Sequence, residues 1–133
     1  MNSKAVLSLN EIGHILAAAH AEAQANQWAV TIVIVDDGGH PLALERLDGC
    51  APASAYIATE KARTCALGRR ESKSYEDMVN AGRYAFLSAP LLTSLEGGVP
   101  IVFDGQVIGA IGVSGVKPEQ DAQVAKAGAQ SLK

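Results

Sequence analysis

Two hairpin signals constrain this chain more than any other feature of its sequence. Near the C-terminal end, Asp104–Gly105 separates the strand-like segments Val99–Phe103 and Gln106–Ser114, and an Asp-Gly pair between such segments is a strong short-range signal for a hairpin. Earlier, the β-branched run Ala29–Asp36 is followed by a Gly-Gly pair and then by Pro41–Leu47, which predicts another hairpin. Because a hairpin joins antiparallel neighbours, the sequence predicts an antiparallel sheet.

Four helices are predicted around these hairpins, over Leu9–Asn26, Ala53–Leu67, Tyr75–Ala85 and Pro118–Leu132. Ser8 and Glu11 form a capping-box pattern before the first helix. Gly68 stands where a glycine would end the second helix, and Ser74 is predicted to cap the third. The resulting order, α-β-β-α-α-β-β-α over residues 1–133, predicts a single α+β domain with helices packed against the sheet.

Charge and composition exclude several functional classes. The formal net charge is −3 and the basic residues are scattered, which argues against a nucleic-acid partner. The longest apolar stretch, Ala29–Val35, has the length of a strand rather than of a membrane span, and no signal peptide is evident, so a cytoplasmic location is predicted. Ala and Gly supply much of the 48% hydrophobic content, and helix faces of small residues favour a homo-oligomer.

Acidic, glycine and imidazole groups meet at the end of the first predicted hairpin. They belong to Asp36, Gly38, Gly39 and His40. The glycines leave backbone N–H groups uncovered, which could receive an anionic ligand, although a simple turn explains the same glycines. His40 is also a candidate metal ligand, since an axial position on haem requires only one histidine nitrogen.

The first predicted helix carries two further candidate metal ligands, His14 and His20. Six residues apart, they point about 120° from each other around the helix axis, so they cannot chelate one metal ion together. Either histidine could serve alone as an axial ligand of haem, or could lie at the solvent or at a subunit contact. Cys50 and Cys65 do not have the spacing of a metal site.

The second predicted helix carries three candidate ligand-binding residues, Lys61, Arg63 and Thr64. Lys61 and Thr64 share one face of the helix, whereas Glu60 and Arg63 share the adjacent face. A surface ion pair would explain this spacing without any function. Alternatively, Lys61 or Arg63 pairs with a carboxylate or a propionate of a ligand, to which Arg46 of the first hairpin could also contribute.

Glycines also accompany the last two predicted strands. A glycine in a strand usually marks a bulge or the close approach of another backbone or a ligand, so Gly97, Gly98 and Ser114 are included among the candidate binding residues. Ser114 lacks the G-x-S-x-G context of an activated nucleophile, and no catalytic residue is assigned. Asp121, in the first turn of the last helix, is explained by the helix dipole.

Seven motifs resemble, in the same order, those of the GlcG/HbpS haem-binding family, and they span most of the chain. They are Val35–His40, Arg46–Asp48, Glu60–Thr64, Glu96–Pro100, Asp104–Gly105, Ile108–Gly115 and Gln120–Ala125. The resemblance implies a profilin-like fold, in which helices flank an antiparallel sheet, and assembly into homo-oligomers such as octamers. It also implies haem or a related tetrapyrrole as the ligand, with haem degradation or iron handling in some relatives and a link to glycolate utilisation in others.

Three functional hypotheses follow from these features. The first is a haem-binding or haem-handling protein with His14, His20 or His40 as the axial ligand. The second is a small-molecule enzyme or sensor for a short hydroxy- or oxo-acid, which would use the cationic side chains near the glycine-rich turns. The third is a structural partner in a larger assembly. Whether the chain is an enzyme stays open at this point.

Overall fold

Both predicted hairpins form, and they combine into one antiparallel sheet in the computed structural model of the chain, which describes residues 1–132. The strands are β1 (Thr31–Asp36), β2 (Pro41–Arg46), β3 (Gly98–Phe103) and β4 (Gln106–Ser114). Their order across the sheet is β2-β1-β4-β3, because β1 also pairs with β4. The two hairpins are therefore joined through β1 and β4, and β2 and β3 form the edges of the sheet.

Helices cover both faces of the sheet. They are α1 (Leu9–Ala25), α2 (Ala53–Gly68), α3 (Lys73–Asn80) and α4 (Pro118–Gln130), with one short 3₁₀ helix at Tyr84–Ser88. α1 and α4 pack against one face of the sheet, and α2 packs against the other. The predicted element order and the profilin-like α+β fold are thus confirmed. Within residues 1–132, no helix has the length and apolar character needed to cross a membrane.

The third helix differs from its predicted bounds of Tyr75–Ala85. It spans Lys73–Asn80 and is preceded by Ser72, so the prediction of Ser74 as the N-cap is wrong. Ser74 lies inside the helix, where its hydroxyl donates to a backbone carbonyl at 2.8 Å. Gly82 has a φ of 106°, a conformation that a helix cannot accommodate, and the chain resumes as a 3₁₀ helix only after it.

The end of α2 also differs from the prediction. Gly68 is the last helical residue, and Arg69 takes the left-handed conformation with a φ of 59°. Gly68 is required for packing instead, because a Cβ atom at this position would collide with the hydroxyl of Tyr75. Tyr75 is 2% exposed and its ring stacks on Phe86 at 4.8 Å, so the glycine allows α3 to close against the end of α2.

The central strand β1 is apolar on both of its faces. Ile32 and Ile34 belong to the core under α1 and α4, whereas Val33 and Val35 belong to the core under α2. A strand that is buried on both faces is typical of the centre of a three-layer arrangement. The edge strand β2 is exposed at alternate positions, because it has less helix cover than β1.

Helix α2 lies directly on the backbone of the sheet, because two strand residues have no side chain. A Cβ atom at Gly112 would collide with the carbonyl oxygen of Ala58 and would lie 2.5 Å from the backbone nitrogen of Ala62. A Cβ atom at Gly98 would lie 2.7 Å from Sγ of Cys65. These strand glycines therefore accommodate the backbone of a neighbouring helix.

A buried ion pair joins α2 to α4 next to the end of β4. The Nζ atom of Lys61 lies 3.1 Å from Oδ2 of Asp121 and donates a 3.0 Å hydrogen bond to the carbonyl oxygen of Val113. The two charged side chains are 5% and 3% exposed. Burial raises the pKa of Asp121, although the charge of Lys61 and the backbone N–H of Val116 oppose this rise. Asp121 therefore does more than complement the helix dipole, since it is the partner of a buried lysine.

Gly112→Ala is expected to lower the free energy of unfolding by about 1–3 kcal/mol, because the added methyl group must displace α2 from the sheet. Gly13→Ala is the matched control. Gly13 lies in α1 with no described atom within 4 Å of an added Cβ, so this substitution should raise the free energy of unfolding by about 0.5–1 kcal/mol. Urea denaturation followed by circular dichroism measures both values. Equal effects of the two substitutions would contradict the packing role of Gly112.

Lys61→Met should lower the free energy of unfolding by about 3–5 kcal/mol, since it leaves the carboxylate of Asp121 buried without its partner. The double variant with Asp121→Leu should recover much of this loss, because it removes both charges. The control is Lys73→Met, which removes the exposed ion pair between Lys73 and Asp77 (2.8 Å) and should change stability little. In the same urea experiment, equal losses for Lys61→Met and Lys73→Met would rule out a buried pair.

Candidate functional site

The end of the first hairpin, residues 36–40, is held together by its own carboxylate. Oδ1 of Asp36 accepts hydrogen bonds from the backbone N–H groups of Gly38 and His40, both at 2.9 Å, and lies 3.0 Å from Nδ1 of His40. Burial would raise the pKa of Asp36, but these donors outweigh burial and lower it. The backbone N–H of Gly38, in the turn where uncovered N–H groups were predicted to receive an anionic ligand, thus has an acceptor within the turn itself.

The same turn is attached to α2 by close contacts. Gly39 is buried with a φ of 82°, and a Cβ atom there would lie 2.9 Å from Cγ of Arg63. Nη1 of Arg69 donates a 2.6 Å hydrogen bond to the carbonyl oxygen of Asp37, whose carboxylate forms an ion pair with Lys4. The structure therefore brings the predicted hairpin residues next to Arg63, in contacts made within the chain.

The candidate binding residues of α2 have partners within the chain. Nη1 of Arg63 lies 2.8 Å from the carboxylate of Glu60, in the ion pair that their spacing predicts. The hydroxyl of Thr64 donates to the carbonyl of Glu60 at 2.8 Å and accepts the backbone N–H of Thr93 at 2.7 Å. Thr64 thus anchors the loop that precedes β3, while Lys61 is held by its buried carboxylate partner.

Gly97, Gly98 and Ser114 are buried in the same region of the fold. A Cβ atom at Gly97 would lie 2.6 Å from Nζ of Lys61 and 3.0 Å from Cβ of Asp121, so Gly97 leaves room for the ion pair. Ser114 ends β4 and is 7% exposed. The structure gives all three residues packing positions between the sheet and the helices.

The three histidines have different surroundings. His14 is exposed on α1. The side chain of His40 is 78% exposed, with Nδ1 next to the carboxylate of Asp36. The side chain of His20 is 34% exposed and lines a cleft. Of the three candidate axial ligands, His20 is the one that the structure places in a concave site together with apolar side chains.

This cleft has a volume of about 710 Å³ and lies where α1 meets the start of β1 and the end of β2. Its lining residues are His20, Gln24, Gln27, Trp28, Ala29, Glu45, Arg46, Leu47 and Asp48. Trp28 and Leu47 pack against the main core and present apolar surface. Arg46 is exposed and forms no ion pair with another described residue. The cleft therefore combines an imidazole, two carboxylates, two side-chain amides, some apolar surface and an available guanidinium.

Inside the cleft, His20 contacts the carboxylate of Glu45. Nδ1 of His20 lies 2.7 Å from Oε1 of Glu45. This oxygen is buried and has no hydrogen-bond partner among the described residues, so its contact with His20 is an ion-pair distance without hydrogen-bond geometry. Glu45 pairs with Ile32 in the register of the hairpin, so both side chains lie on the α1 face of the sheet. Because this carboxylate lies beside Nδ1, Nε2 is the ring nitrogen of His20 that is available to a metal.

The predicted site residues of the first hairpin are divided between its two ends. Arg46 pairs with Thr31 at one end, whereas Pro41 pairs with Val35 near the turn that carries His40. Thr31 and Val35 are four positions apart on β1, which corresponds to about 13 Å. Arg46 and His20 therefore share the cleft, and the hairpin turn belongs to a different surface.

Trp28 and Glu45 line the cleft but were not among the residues predicted from the sequence. The alternation of β2 provides one signal, because Glu45 lies two residues after Ala43 and so on the same face as this core residue. No local sequence pattern indicates that His20, on α1, lies beside Glu45, on β2. The packing of α1 against the first hairpin decides this contact.

Other metal-binding or nucleophilic groups give no competing site. Within residues 1–132, no group of three or more His, Cys, Asp or Glu side chains could hold a metal ion. Burial raises the pKa of the Cys65 thiol to about 12, which leaves this thiol protonated and unreactive near neutral pH. Cys50 is half-buried, with Sγ at 2.9 Å from the hydroxyl of Ser54.

Several known proteins are similar to this chain in sequence and in fold. Residues 7–130 match the family described as haem degrading protein HbpS-like. Protein GlcG of Escherichia coli strain K12 is 64% identical over 114 residues, which cover 86% of this chain and 85% of that protein. The crystal structure of a double mutant of Streptomyces reticuli HbpS is 27% identical, with a TM-score of 0.89, and the match covers 100% of this chain and 91% of that chain.

A further solved structure contains haem. It is described as a complex of PduOC with haem and is 26% identical to this chain, with a TM-score of 0.87. The match covers 97% of this chain and 96% of that chain. On the family match and the identity to protein GlcG, this chain belongs to the HbpS-like family.

Proposed function

We propose that the chain binds haem, or a related tetrapyrrole, in the cleft between α1 and the first hairpin, with His20 as the axial ligand. The observation that carries this proposal is the 2.7 Å contact between Nδ1 of His20 and the buried oxygen of Glu45. It leaves Nε2 available for iron. The choice of haem is supported by the description of the family and by the PduOC complex.

Three other residues of the cleft fit the same ligand. Trp28 and Leu47 offer apolar surface to the macrocycle, and the guanidinium of Arg46 can form paired hydrogen bonds with a propionate. Bound haem would supply the iron for redox chemistry, while the chain would orient it and limit the access of water. The cleft is open to the solvent, so a second subunit would cover the remaining face of the ligand.

The other two histidines fit this role less well. His40 is 78% exposed, and apolar walls of the kind that surround a haem are not among its contacts within residues 1–132. His14 is exposed on α1. Since haem binding depends mainly on burial of the macrocycle, an exposed histidine alone would bind it weakly.

The hypothesis of a short hydroxy- or oxo-acid ligand has less support. It relied on Arg46, Lys61 and Arg63, and two of these cations are paired with carboxylates of the chain itself. Arg46 alone is available, and it lies in the cleft assigned to haem. The link to glycolate utilisation and the cytoplasmic location stay predictions.

We also propose that the chain self-associates. Large apolar side chains are exposed on several elements; they are Leu42, Leu44, Tyr56, Tyr84, Leu87, Leu91, Leu95, Val102 and Phe103. Leu44 is 52% exposed on β2, whose outer edge offers unpaired backbone groups. Exposed apolar surface next to a sheet edge favours contact with another chain.

Titration of the purified chain with haemin should give a saturable Soret band typical of histidine-ligated haem. His20→Gln should abolish this histidine-ligated spectrum, because glutamine has no imidazole nitrogen to donate. His14→Gln and His40→Gln are matched controls that should leave the band position and the affinity unchanged. Absence of a saturable band in the wild-type chain would contradict haem binding, and loss of the band in either control would contradict the choice of His20.

Sedimentation velocity should show a species several times heavier than the 13.8 kDa of one chain. Leu44→Glu should shift the population towards the monomer, because it places a charge on the exposed face of β2. Asn80→Glu adds the same charge at an exposed polar position and should leave the mass unchanged. A wild-type chain that sediments only as a monomer would overturn self-association.

A further inference from the structure

We propose that two copies of this chain pair through the open edge strand β2, antiparallel and with Leu44 opposite the partner subunit's Leu44. The sheets of the two copies then form one continuous sheet, because β2 is an edge strand in each of them. The proposal rests on the self-association proposed above and specifies its interface, and it does not depend on haem.

The opposite edge of the sheet, β3, is closed to another strand. Gly98 donates its backbone N–H to the hydroxyl of Ser72 at 2.9 Å and accepts the backbone N–H of Ser72 at 3.2 Å. Pro100, two residues further along β3, belongs to the same outward-facing set of backbone groups and has no N–H. A proline and occupied backbone groups prevent a strand from pairing at an edge.

The edge of β2 is open over its second half. Leu47 donates its N–H to the carbonyl oxygen of Val30 at 2.9 Å, so the alternation of an antiparallel pair turns the N–H and C=O groups of Leu44 and Arg46 away from β1. The proline of β2, Pro41, is its first residue. Because α2 packs mainly on β4 and β1, it leaves the outer edge of β2 uncovered. This edge therefore offers the alternating donors and acceptors that an antiparallel partner requires.

The side chains of β2 select one register for two identical strands. The outward backbone groups of Leu44 and Arg46 can meet their copies in three registers, which place Leu44, Glu45 or Arg46 opposite its own copy. The last two registers set like charges directly opposite each other, which is unfavourable. The Leu44 register pairs two apolar side chains and places Arg46 opposite Leu42 and Glu45 opposite Ala43.

Leu44 also continues the apolar face of the sheet. It pairs with Val33, which belongs to the core under α2, and it is 52% exposed. In the proposed pair, the two copies of Leu44 lie side by side between the two copies of Val33, so an apolar row crosses the junction. Each exposed leucine is thereby covered by the other, which removes apolar surface from water.

The same register brings each cleft next to the other chain. When the pairing continues to Leu47, which lines the cleft, this residue lies opposite the partner subunit's Pro41. The partner's hairpin turn, residues 36–40, therefore lies at the edge of the cleft. Each chain adds a wall to the cleft of the other, which suits a site that is open to the solvent in one chain.

Single cysteines test the interface in a Cys50→Ser background, treated with oxidised glutathione. Leu44→Cys should form a disulfide-linked dimer, because opposite residues of a hydrogen-bonded pair have Cα atoms about 5.5 Å apart, which a disulfide can span. Cys65 should not compete, since burial raises the pKa of its thiol to about 12.

Two matched variants control for register and for random collision. Arg46→Cys should link much more slowly than Leu44→Cys, because the register separates the two copies of residue 46 by four positions, or about 13 Å along the strands. Val102→Cys should also link slowly, since Val102 is 50% exposed but lies on the closed edge.

Hydrogen exchange resolved to single amides tests the wild-type chain without any substitution. The amides of Leu44 and Val102 both point away from the sheet at an edge, so they should exchange similarly in an isolated chain. In the proposed pair, the amide of Leu44 donates to the partner subunit's Leu44. It should then exchange at least about tenfold more slowly than the amide of Val102.

The outcomes separate this interface from the functions proposed above. Rapid linking of Leu44→Cys alone and slow exchange at Leu44 would support the interface whether or not the chain binds haem. If the wild-type chain sediments as an oligomer but Leu44→Cys links no faster than Val102→Cys, this interface is wrong and self-association stands. Equal linking of Leu44→Cys and Arg46→Cys would overturn the register, and a monomeric wild-type chain would overturn the interface together with self-association.

Discussion

The direct contact between α2 and the backbone of the sheet is the constraint on which the rest of the structure depends. Gly98 and Gly112 have no side chains that would separate the two layers, and small residues of α2 fill the contact. Interiors packed this closely contain few voids and exclude water. Lys61 lies in this layer, where its charge would be very unfavourable without the carboxylate of Asp121. The helix, the sheet and the ion pair therefore form one interdependent unit.

This packing explains why several motif residues that suggested a binding site have internal contacts. On the α2 side, glycines and polar side chains hold layers and loops together, and Thr64 anchors the loop before β3. The available groups lie on the opposite side, where the edge strand β2 extends beyond the helix cover and α1 leaves a cleft. His20, Glu45 and Arg46 meet there because the hairpin presents its open end to α1. The candidate site is thus a consequence of incomplete cover at one edge of the sheet.

Much of the fold could be predicted from the sequence, since its signals act over a few residues. The turn at Asp104–Gly105, the capping contact between Ser8 and Glu11 (3.0 Å), and the β-branched run of β1 all depend on neighbouring residues. The third helix could not be predicted correctly in this way. Its N-cap, Ser72, is buried, and the hydroxyl of Ser72 accepts a hydrogen bond from the backbone N–H of Gly98, the first residue of β3. No local sequence pattern indicates this contact.

The sequence by itself determined the strands, the hairpins, the order of the elements and the family, because turn chemistry, residue periodicity and ordered motifs are properties of the chain read along its length. Only the tertiary structure decided which histidine lies in a cleft and which cations are available. His20 and Glu45 are twenty-five positions apart, and Lys61 and Asp121 are sixty apart. Contacts over such separations depend on how the layers pack, since a side chain gains a partner only when burial brings two distant elements together.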